Sequence, residues 1–384
     1  MSSEQNTKKI KLFIPKEINN EETRVALIPA SLKKLNDKGF EVLIEKDAGQ
    51  KAQISDKEYE EGGAKIMTNL TEAYTQADIV VSINPPQYCT QTNKHQIDNL
   101  QEGATWISLF IPQSEQETVS KMQAKKLNSF SLNLIPRTTR AQAMDVLSSQ
   151  ANLAGYKAVI MAAQYSKKIF PLMMTPAGTI NPAKVIIMGV GVAGLQAIAT
   201  AKRLGAQVEA SDIRLATKEQ VESLGAKFIE VEGSEDMEDE GGYAREATPE
   251  FLKKQAEEVA KRVAQADVVI TTALIPGKKA PVLITEEMVK SMPTGSVIVD
   301  MAAPMGGNCA LTKPGEIVEI NNITIIGHNN LPAQVATNAS QMFSKNIENF
   351  LLEITKDQKL NIDLENEIIK GSLVVHNGEL VQKN

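Results

Sequence analysis

The sequence predicts an α/β protein of two Rossmann-like domains, each a doubly wound parallel sheet, joined by two long helices. Three observations carry this. Short apolar strand patterns alternate with helix-length segments along most of the chain, and strands spaced this way form βαβ units. The alternation is interrupted by two long helical patterns. A glycine-rich turn, Gly189-Val-Gly191-Val-Ala-Gly194, lies directly between a strand pattern and a helix pattern. The 384 residues suffice for two or three domains at about 150 residues each.

In chain order, Lys11 to Pro15 reads as a strand, Ser31 to Lys38 as a helix ending near Gly39, and Glu41 to Glu45 as the next strand. Asp78 to Ile83 and Thr105 to Phe110 continue the series. Then Ala151, Ala154, Ala158, Met161 and Tyr165 recur at spacings of 3, 4, 3 and 4, one face of a helix, with Ser148 or Ser149 as its N-cap. Strands resume at Lys184 to Met188, Gln207 to Asp212, Lys227 to Val231, Asp267 to Thr271, Ser296 to Asp300 and Ile323 to Gly327. The second long helix carries Val335, Ala339, Met342, Phe343, Ile347, Phe350, Leu351 and Ile354. Read as the two crossings, these helices divide the chain into 1–137 plus 329–384 and 138–328. The tail, Asn361 to Leu380 with a turn at Asn377-Gly378, is expected to rejoin the first domain.

Composition removes several function classes. Forty-one basic against 47 acidic residues give a net charge of −6, which argues against general nucleic-acid binding. Cys89 and Cys309 form no disulfide framework and no zinc pattern, and fit a reducing compartment. The histidines, His95, His328 and His376, are scattered, so no metal site is expected. Met1 to Lys9 is polar and the following residues lack the apolar core of a signal peptide. No run of 18 uncharged apolar residues suggests direct membrane insertion.

The glycine motif is the strongest chemical signal. It follows the β-branched run Val185-Ile-Ile-Met188 and opens an Ala-rich helix. Gly189 permits a tight turn, Gly191 admits a pyrophosphate close to the backbone, and Gly194 lets helix and strand pack. The backbone of Val190, Val192 and Ala193 lies in the same turn, and the helix N-terminus adds partial positive charge. Asp212 follows Gly194 by 18 residues, at the end of the next strand, where a carboxylate can bond both adenosine ribose hydroxyls. It would repel a 2′-phosphate, so NAD(H) is favoured over NADP(H). Ile213 follows it. Arg214 leaves NADP open but reads more simply as a solvated surface residue. Thr271 to Pro276, with Thr272, Ala273 and Leu274, follows a strand C-terminus and should line the nicotinamide end of the cleft. A Rossmann-like unit without a cofactor is the alternative.

Two other stretches stand out. Glu230 to Glu246 is densely acidic with Gly241-Gly242 beside Tyr243, and is either a solvated loop or a lid whose Tyr243 covers a nucleotide. Arg137, Gln142, Asp145 and Ser148 form a polar cluster before the first long helix. Helical spacing would put the last three on one face, although Pro136 and the serine cap favour a loop with a few turns. The cluster is either a helix-capping hinge or a ring of polar groups at a domain cleft.

With these residues assembled, the sequence closely resembles the NAD(H)-binding component of proton-translocating nicotinamide nucleotide transhydrogenase. The matching stretches are Ile14-Pro-Lys-Glu17 with Glu22-Thr-Arg-Val-Ala26, Arg137 to Tyr156, Gly189 to Arg203, Thr217 to Gly225, Gly241-Gly-Tyr243, Thr271 to Val289 and Gly306-Gly-Asn-Cys309. The resemblance implies that Arg137 and Ser148 orient the nicotinamide carboxamide, with Asp145 in the same network. It implies that Gln142 reaches toward NADP(H) on a partner subunit and that Tyr243 belongs to a mobile loop. His328 is expected to be a surface or strand-end residue. The resemblance further implies a homodimer, membrane-spanning and NADP-binding partner subunits, and a location at the cytoplasmic face of a membrane held through those partners. The sequence stops at Asn384 without the membrane helices of fused versions, which fits the separate-subunit form.

Alanine dehydrogenase shares this architecture and is the main rival, with a non-catalytic NAD(H)-binding protein as a third reading. The dehydrogenase pattern has a substrate Lys, a catalytic His and an acid where this chain carries Asn84, Ile111 and Pro304, although Arg24 persists. No ammonium or imidazole is left for acid–base chemistry on an amino acid. The pure chain is therefore expected to show no oxidation of NADH dependent on pyruvate and ammonia. Steady turnover in a spectrophotometric assay would mean that these three positions are misaligned.

Overall fold

The computed structural model describes residues 9–230, 249–275 and 278–381. Tyr243 and Pro276 lie outside the described residues. The chain divides into two units, Met1–Gln150 with Ala333–Asn384, and Ala151–Pro332. Each is built on its own sheet.

The first unit has an eight-stranded sheet. Its parallel part runs, in spatial order, Asn128–Ser131, Thr105–Ser108, Ile79–Val81, Ile10–Ile14, Phe40–Glu45 and Lys65–Met67. The central strands are buried almost throughout, as expected where helices cover both faces of a parallel sheet. The tail rejoins this unit as expected. Leu373–His376 pairs antiparallel with the Asn128–Ser131 strand and turns back through Asn377 (φ 50°) and Gly378 (φ 85°) into Glu379–Leu380. Two successive positive φ values make the tight hairpin that an Asn-Gly pair favours.

The second unit has seven strands in the order Lys227–Phe228, Gln207–Ser211, Lys184–Met188, Val268–Thr271, Val297–Asp300, Ile323–Ile326, Ile317–Ile320. All neighbours are parallel except the last pair, an antiparallel hairpin turned at Asn321 and Asn322. Chain order reverses direction across the sheet between Lys184–Met188 and Val268–Thr271. That is the topological switch point, outside whose carboxyl ends a doubly wound sheet leaves a crevice.

Both sheets start a strand pair in the same way. Asp78 accepts the backbone N–H of Lys11 at 2.8 Å, and Asp267 accepts that of Lys184 at 2.8 Å. Each aspartate stands just before its strand and satisfies an amide of the neighbouring strand, which fixes the parallel register.

The two long helices are present at Val146–Tyr165 and Ala336–Glu353. The first contains the division after Gln150. The second lies wholly in the first unit, so the chain returns at Pro332/Ala333, before that helix begins. The expected serine cap of the first helix is not the one observed. Asp145 takes that place, its carboxylate accepting the backbone N–H of Ser148 at 2.9 Å. Asp145 leaves a 3-10 turn, Thr139–Met144, in extended geometry, whereas both serines are already inside the helix. Among the described residues no helix is long and apolar enough to cross a membrane.

Two carboxyls in the first unit are held in unusual surroundings. Glu17 accepts the backbone N–H of Ile83 at 2.6 Å and the side-chain amide of Asn84 at 2.8 Å. Glu45 accepts the backbone N–H of Lys16 at 2.8 Å. Burial outweighs these bonds and raises each pKa from 4.5 to about 7. Between those values the folded chain keeps protons that the unfolded chain has shed. This part of the stability is therefore present below the unfolded value and is lost as pH rises through the folded one. Melting temperatures taken from about pH 5 to about pH 8 should fall, and Glu17→Gln should flatten that slope. A slope unchanged in the variant would exclude Glu17 as a source.

Candidate functional site

The crevice at the switch point of the second unit is formed by close backbone approach. Gly189 leaves the Lys184–Met188 strand with φ 95°, a left-handed conformation that favours glycine. A Cβ there would lie 2.7 Å from Thr272 Oγ1. Gly194 sits in the first turn of the Val192–Arg203 helix, and a Cβ on it would come within 2.0 Å of the Gly189 carbonyl oxygen. Gly191 differs. It is the N-cap, no side chain caps the helix, and nothing stands within 4 Å of where its Cβ would be. The first helical N–H groups thus face open space with no acid in the first turn, an arrangement that fits a pyrophosphate. Val190 points into the core at 2% exposure, whereas Val192 is 40% exposed on the open side.

The glycine-to-carboxylate spacing closes as expected. Asp212 Oδ2 accepts the backbone N–H of Val190 at 2.7 Å. Arg214 is not the solvated residue that the sequence suggests: its side chain is 14% exposed. Two residues past Asp212 the chain turns, so the planar guanidinium folds back on the carboxylate. Nε donates to Oδ1 at 2.9 Å, Nη2 donates to Oδ2 at 2.8 Å, and the Arg214 backbone N–H also reaches Oδ1 at 2.9 Å. Four donors now occupy a carboxylate with about four lone-pair sites. A ribose hydroxyl must displace or share one of them, and an incoming 2′-phosphate meets an ion pair rather than a bare negative charge. Ile213, between the two, is half-buried.

Across the crevice, Thr272 donates its N–H to Met188 O at 2.8 Å and its hydroxyl to Gly189 O at 2.9 Å. Leu274 is 50% exposed. Two residues without an assigned role in the sequence reading hold this wall. Buried Asp300 accepts the Thr271 hydroxyl at 3.0 Å, the Thr312 hydroxyl at 2.7 Å and the backbone N–H groups of Ala302 and Cys309 at 3.0 Å each. Asn308, fully buried, bonds Ala273 in both directions. The available signals were an acid closing a strand and a polar residue just after Gly306-Gly307. A third residue is Gly155 of the first long helix. A Cβ on it would lie 2.2 Å from Ala193 O, so the helix touches the glycine turn backbone to backbone.

The polar cluster lies in the first unit. It is not one helical face, because Gln142 belongs to the 3-10 turn and Ser148 to the following helix. Asp145 and Ser148 are brought together, with the Ser148 hydroxyl 2.5 Å from Asp145 Oδ2. Arg137 and Gln142 are exposed. His328 is half-buried just past the end of the Ile323–Ile326 strand, where its Nδ1 accepts the Asn330 N–H at 3.0 Å. Among the described residues no group of His, Cys, Asp and Glu is arranged to hold a metal ion.

A family model for the C-terminal domain of alanine dehydrogenase/PNT matches residues 158–383, and the N-terminal domain model matches residues 13–154. The chain belongs to the alanine dehydrogenase/PNT family. The first of the separately encoded NAD(P) transhydrogenase alpha subunits of Rhodospirillum rubrum is 49% identical over 376 residues, 97% of this chain and 98% of that one. Alanine dehydrogenase 1 of Staphylococcus aureus is 30% identical over 96% of this chain and 94% of its own. A transhydrogenase structure from Sinorhizobium meliloti superposes with a TM-score of 0.87 at 44% identity, covering 96% of this chain and 99% of that chain. Within the alanine dehydrogenase/PNT family, the chain is thus more similar to the transhydrogenase subunit.

The residues noted above as departing from the dehydrogenase pattern are occupied otherwise. Asn84 spends its amide on Glu17. Pro304 is exposed in a 3-10 turn and Ile111 is half-buried. Buried Arg24 forks onto Glu22 through Nε and Nη2 at 2.7 Å each and donates Nη1 to Gln150 at 2.8 Å. Its guanidinium is engaged within the fold.

Two outcomes follow from this geometry. Arg214→Ala leaves Asp212 bare and should weaken NADPH relative to NADH by about tenfold or more, whereas Asp212→Asn should narrow the gap. Fluorescence titration with both nucleotides checks this, and an unchanged ratio in both variants would remove the pair from discrimination. Gly155→Ala forces Ala193 to shift and should destabilise the chain by about 1–3 kcal/mol while lowering NADH affinity. Thermal melting and the same titration read both effects.

Proposed function

We propose that this chain is the NAD(H)-binding component of a transhydrogenase, exchanging hydride between NAD(H) on this chain and NADP(H) on a separate subunit. NADH, when bound, supplies a hydride from nicotinamide C4 to the same carbon of NADP+, leaving NAD+ and NADPH, with no proton abstracted from either. The observation that carries the reading is a pairing of presence and absence. The glycine turn and Asp212 offer a dinucleotide site, while Asn84, Ile111 and Pro304 leave no acid–base machinery for an amino acid. Such an exchange requires positioning, not proton transfer.

In this reading Gly189, Gly191 and Gly194 with Val190, Val192 and Ala193 hold the pyrophosphate. Asp212 and Arg214 address the adenosine ribose. Thr272, Ala273 and Leu274 flank the nicotinamide. Arg137 and Ser148 orient its carboxamide, with Asp145 fixing the Ser148 hydroxyl. Tyr243 belongs to a loop that closes over the nucleotide. The assembly is a homodimer working with NADP-binding and membrane-spanning subunits, the latter moving protons, so the chain sits at the cytoplasmic face without entering the bilayer. The deciding experiment mixes this chain with an NADP-binding partner domain and follows hydride exchange between nucleotides. No exchange, with both nucleotides bound, would overturn the proposal.

Gln142 carries the sharpest expectation. Hydride transfer needs the two C4 atoms about 3–3.5 Å apart, and the rings belong to different chains. An uncharged amide that both donates and accepts suits an interface contact, and Gln142 is exposed for one. Gln142→Asn should leave NADH binding to the isolated chain nearly unchanged and slow transfer by roughly 100-fold or more, the scale of an Å-level misplacement. Arg137→Ala should instead weaken NADH binding. Stopped-flow rates and NADH titrations separate the two, and a Gln142→Asn variant that lost affinity but kept its rate would make Gln142 an ordinary ligand contact.

A further inference from the structure

Residues past Thr271 have left the sheet, so their backbone groups need partners other than a neighbouring strand. Thr272 keeps one, donating its N–H to Met188 O at 2.8 Å. Ala273 relies on a side chain. Asn308 Oδ1 accepts its N–H at 3.0 Å, and Asn308 Nδ2 donates to its carbonyl at 2.9 Å. The same Nδ2 donates to Pro281 O at 2.8 Å. One carboxamide thus substitutes for a strand edge and pins two points of the chain, Ala273 and Pro281.

Asn308 is itself held firmly. Its carbonyl accepts the N–H groups of Leu283 at 2.7 Å and Ile284 at 2.9 Å. The next residue, Cys309, donates its N–H to Asp300, which also takes the Thr271 hydroxyl. Thr271, Asp300, Cys309, Asn308 and Ala273 therefore form a closed circuit. Asn308 is 0% exposed. Its influence on the crevice therefore passes through Ala273 and, one residue back, through Thr272, whose hydroxyl bonds Gly189 O.

We propose that Asn308 is a positioning residue for dinucleotide binding, its carboxamide setting the distance between the Thr272–Leu274 wall and the glycine turn. This rests on the reading of the crevice as the NAD(H) site. Aspartate has nearly the same shape but, when ionised, cannot donate to Ala273 O or Pro281 O and repels both carbonyls. When protonated it regains one donor. The titratable groups beside position 308 are the Asp300 carboxylate and the Cys309 thiol, and the Lys279 stem lies against Gly306. All three are common to wild type and variant.

The test is NADH titration of the full chain by fluorescence across pH, with melting curves at each pH. Wild type should bind with little change. Asn308→Asp should bind about tenfold or more weakly at about pH 8 and recover toward wild type at about pH 5.5, where burial favours the protonated carboxyl. Asn308→Ser, too short to reach Ala273, should stay weak throughout. Wild-type affinity in Asn308→Asp at the higher pH overturns the inference, as does a loss that tracks melting temperature and never recovers. Should Asn308→Asp not fold, amide exchange in Asn308→Ser decides. Faster exchange at Ala273 alone supports positioning, and unchanged exchange there overturns it. A wild-type chain that binds no NADH would instead sink the underlying site reading.

Discussion

The second unit depends on three backbones meeting with no side chain between them. Gly194 approaches the Gly189 carbonyl to a distance no Cβ tolerates, Gly189 turns left-handed against Thr272, and Gly155 brings a helix onto Ala193. Each contact removes a side chain so that backbone dipoles come close. The outcome is a helix start with free N–H groups beside open space at Gly191. Any larger residue at these contacts separates the helix from the strand and closes or tilts that opening.

Around that turn, charge is handled by pairing. Asp212 is neutralised by Arg214 and by a backbone amide, and Asp300 by four donors without a cation. Buried carboxylates so supplied keep their charge without a large desolvation penalty and act as rigid connectors. Glu17 and Glu45 are the contrast. Burial there is stronger than the bonds supplied, so their protons are retained toward neutral pH. The first unit therefore carries the pH-sensitive carboxyls, while the acids around the crevice are fixed by geometry. The same unit shows a dehydrogenase-like pocket turned inward, with Asn84 bonded to Glu17 and Arg24 to Glu22.

Much of the architecture was legible in the chain itself. The strand patterns at Ile10–Ile14, Phe40–Glu45, Lys184–Met188 and Val297–Asp300 lie within a residue of their expected limits, because continuous β-branched runs leave little alternative. The hairpin at Asn377-Gly378 was legible for the same local reason. Asn128–Ser131 was not. Asn-Ser-Phe-Ser lacks the apolar run of a buried strand, yet all four residues are buried because tail and sheet cover both edges. The cap of the first long helix was misplaced by three residues, since two serines and an aspartate compete for one role and only backbone geometry chooses between them.

The sequence by itself determined the strand–glycine–helix unit, its register with Asp212, and the absence of a dehydrogenase's Lys and His. These are local properties, set by which φ values, close approaches and charges a residue type permits. Only the tertiary structure decided what each polar group spends its bonds on. Arg214 turned from a solvated residue into the partner of Asp212, and Asn308 from an unassigned position into the support of Ala273. Hydrogen-bond capacity is finite, and which donor claims which acceptor depends on residues up to 35 positions apart in the chain being brought within about 3 Å. No spacing rule read along one strand of sequence contains that information.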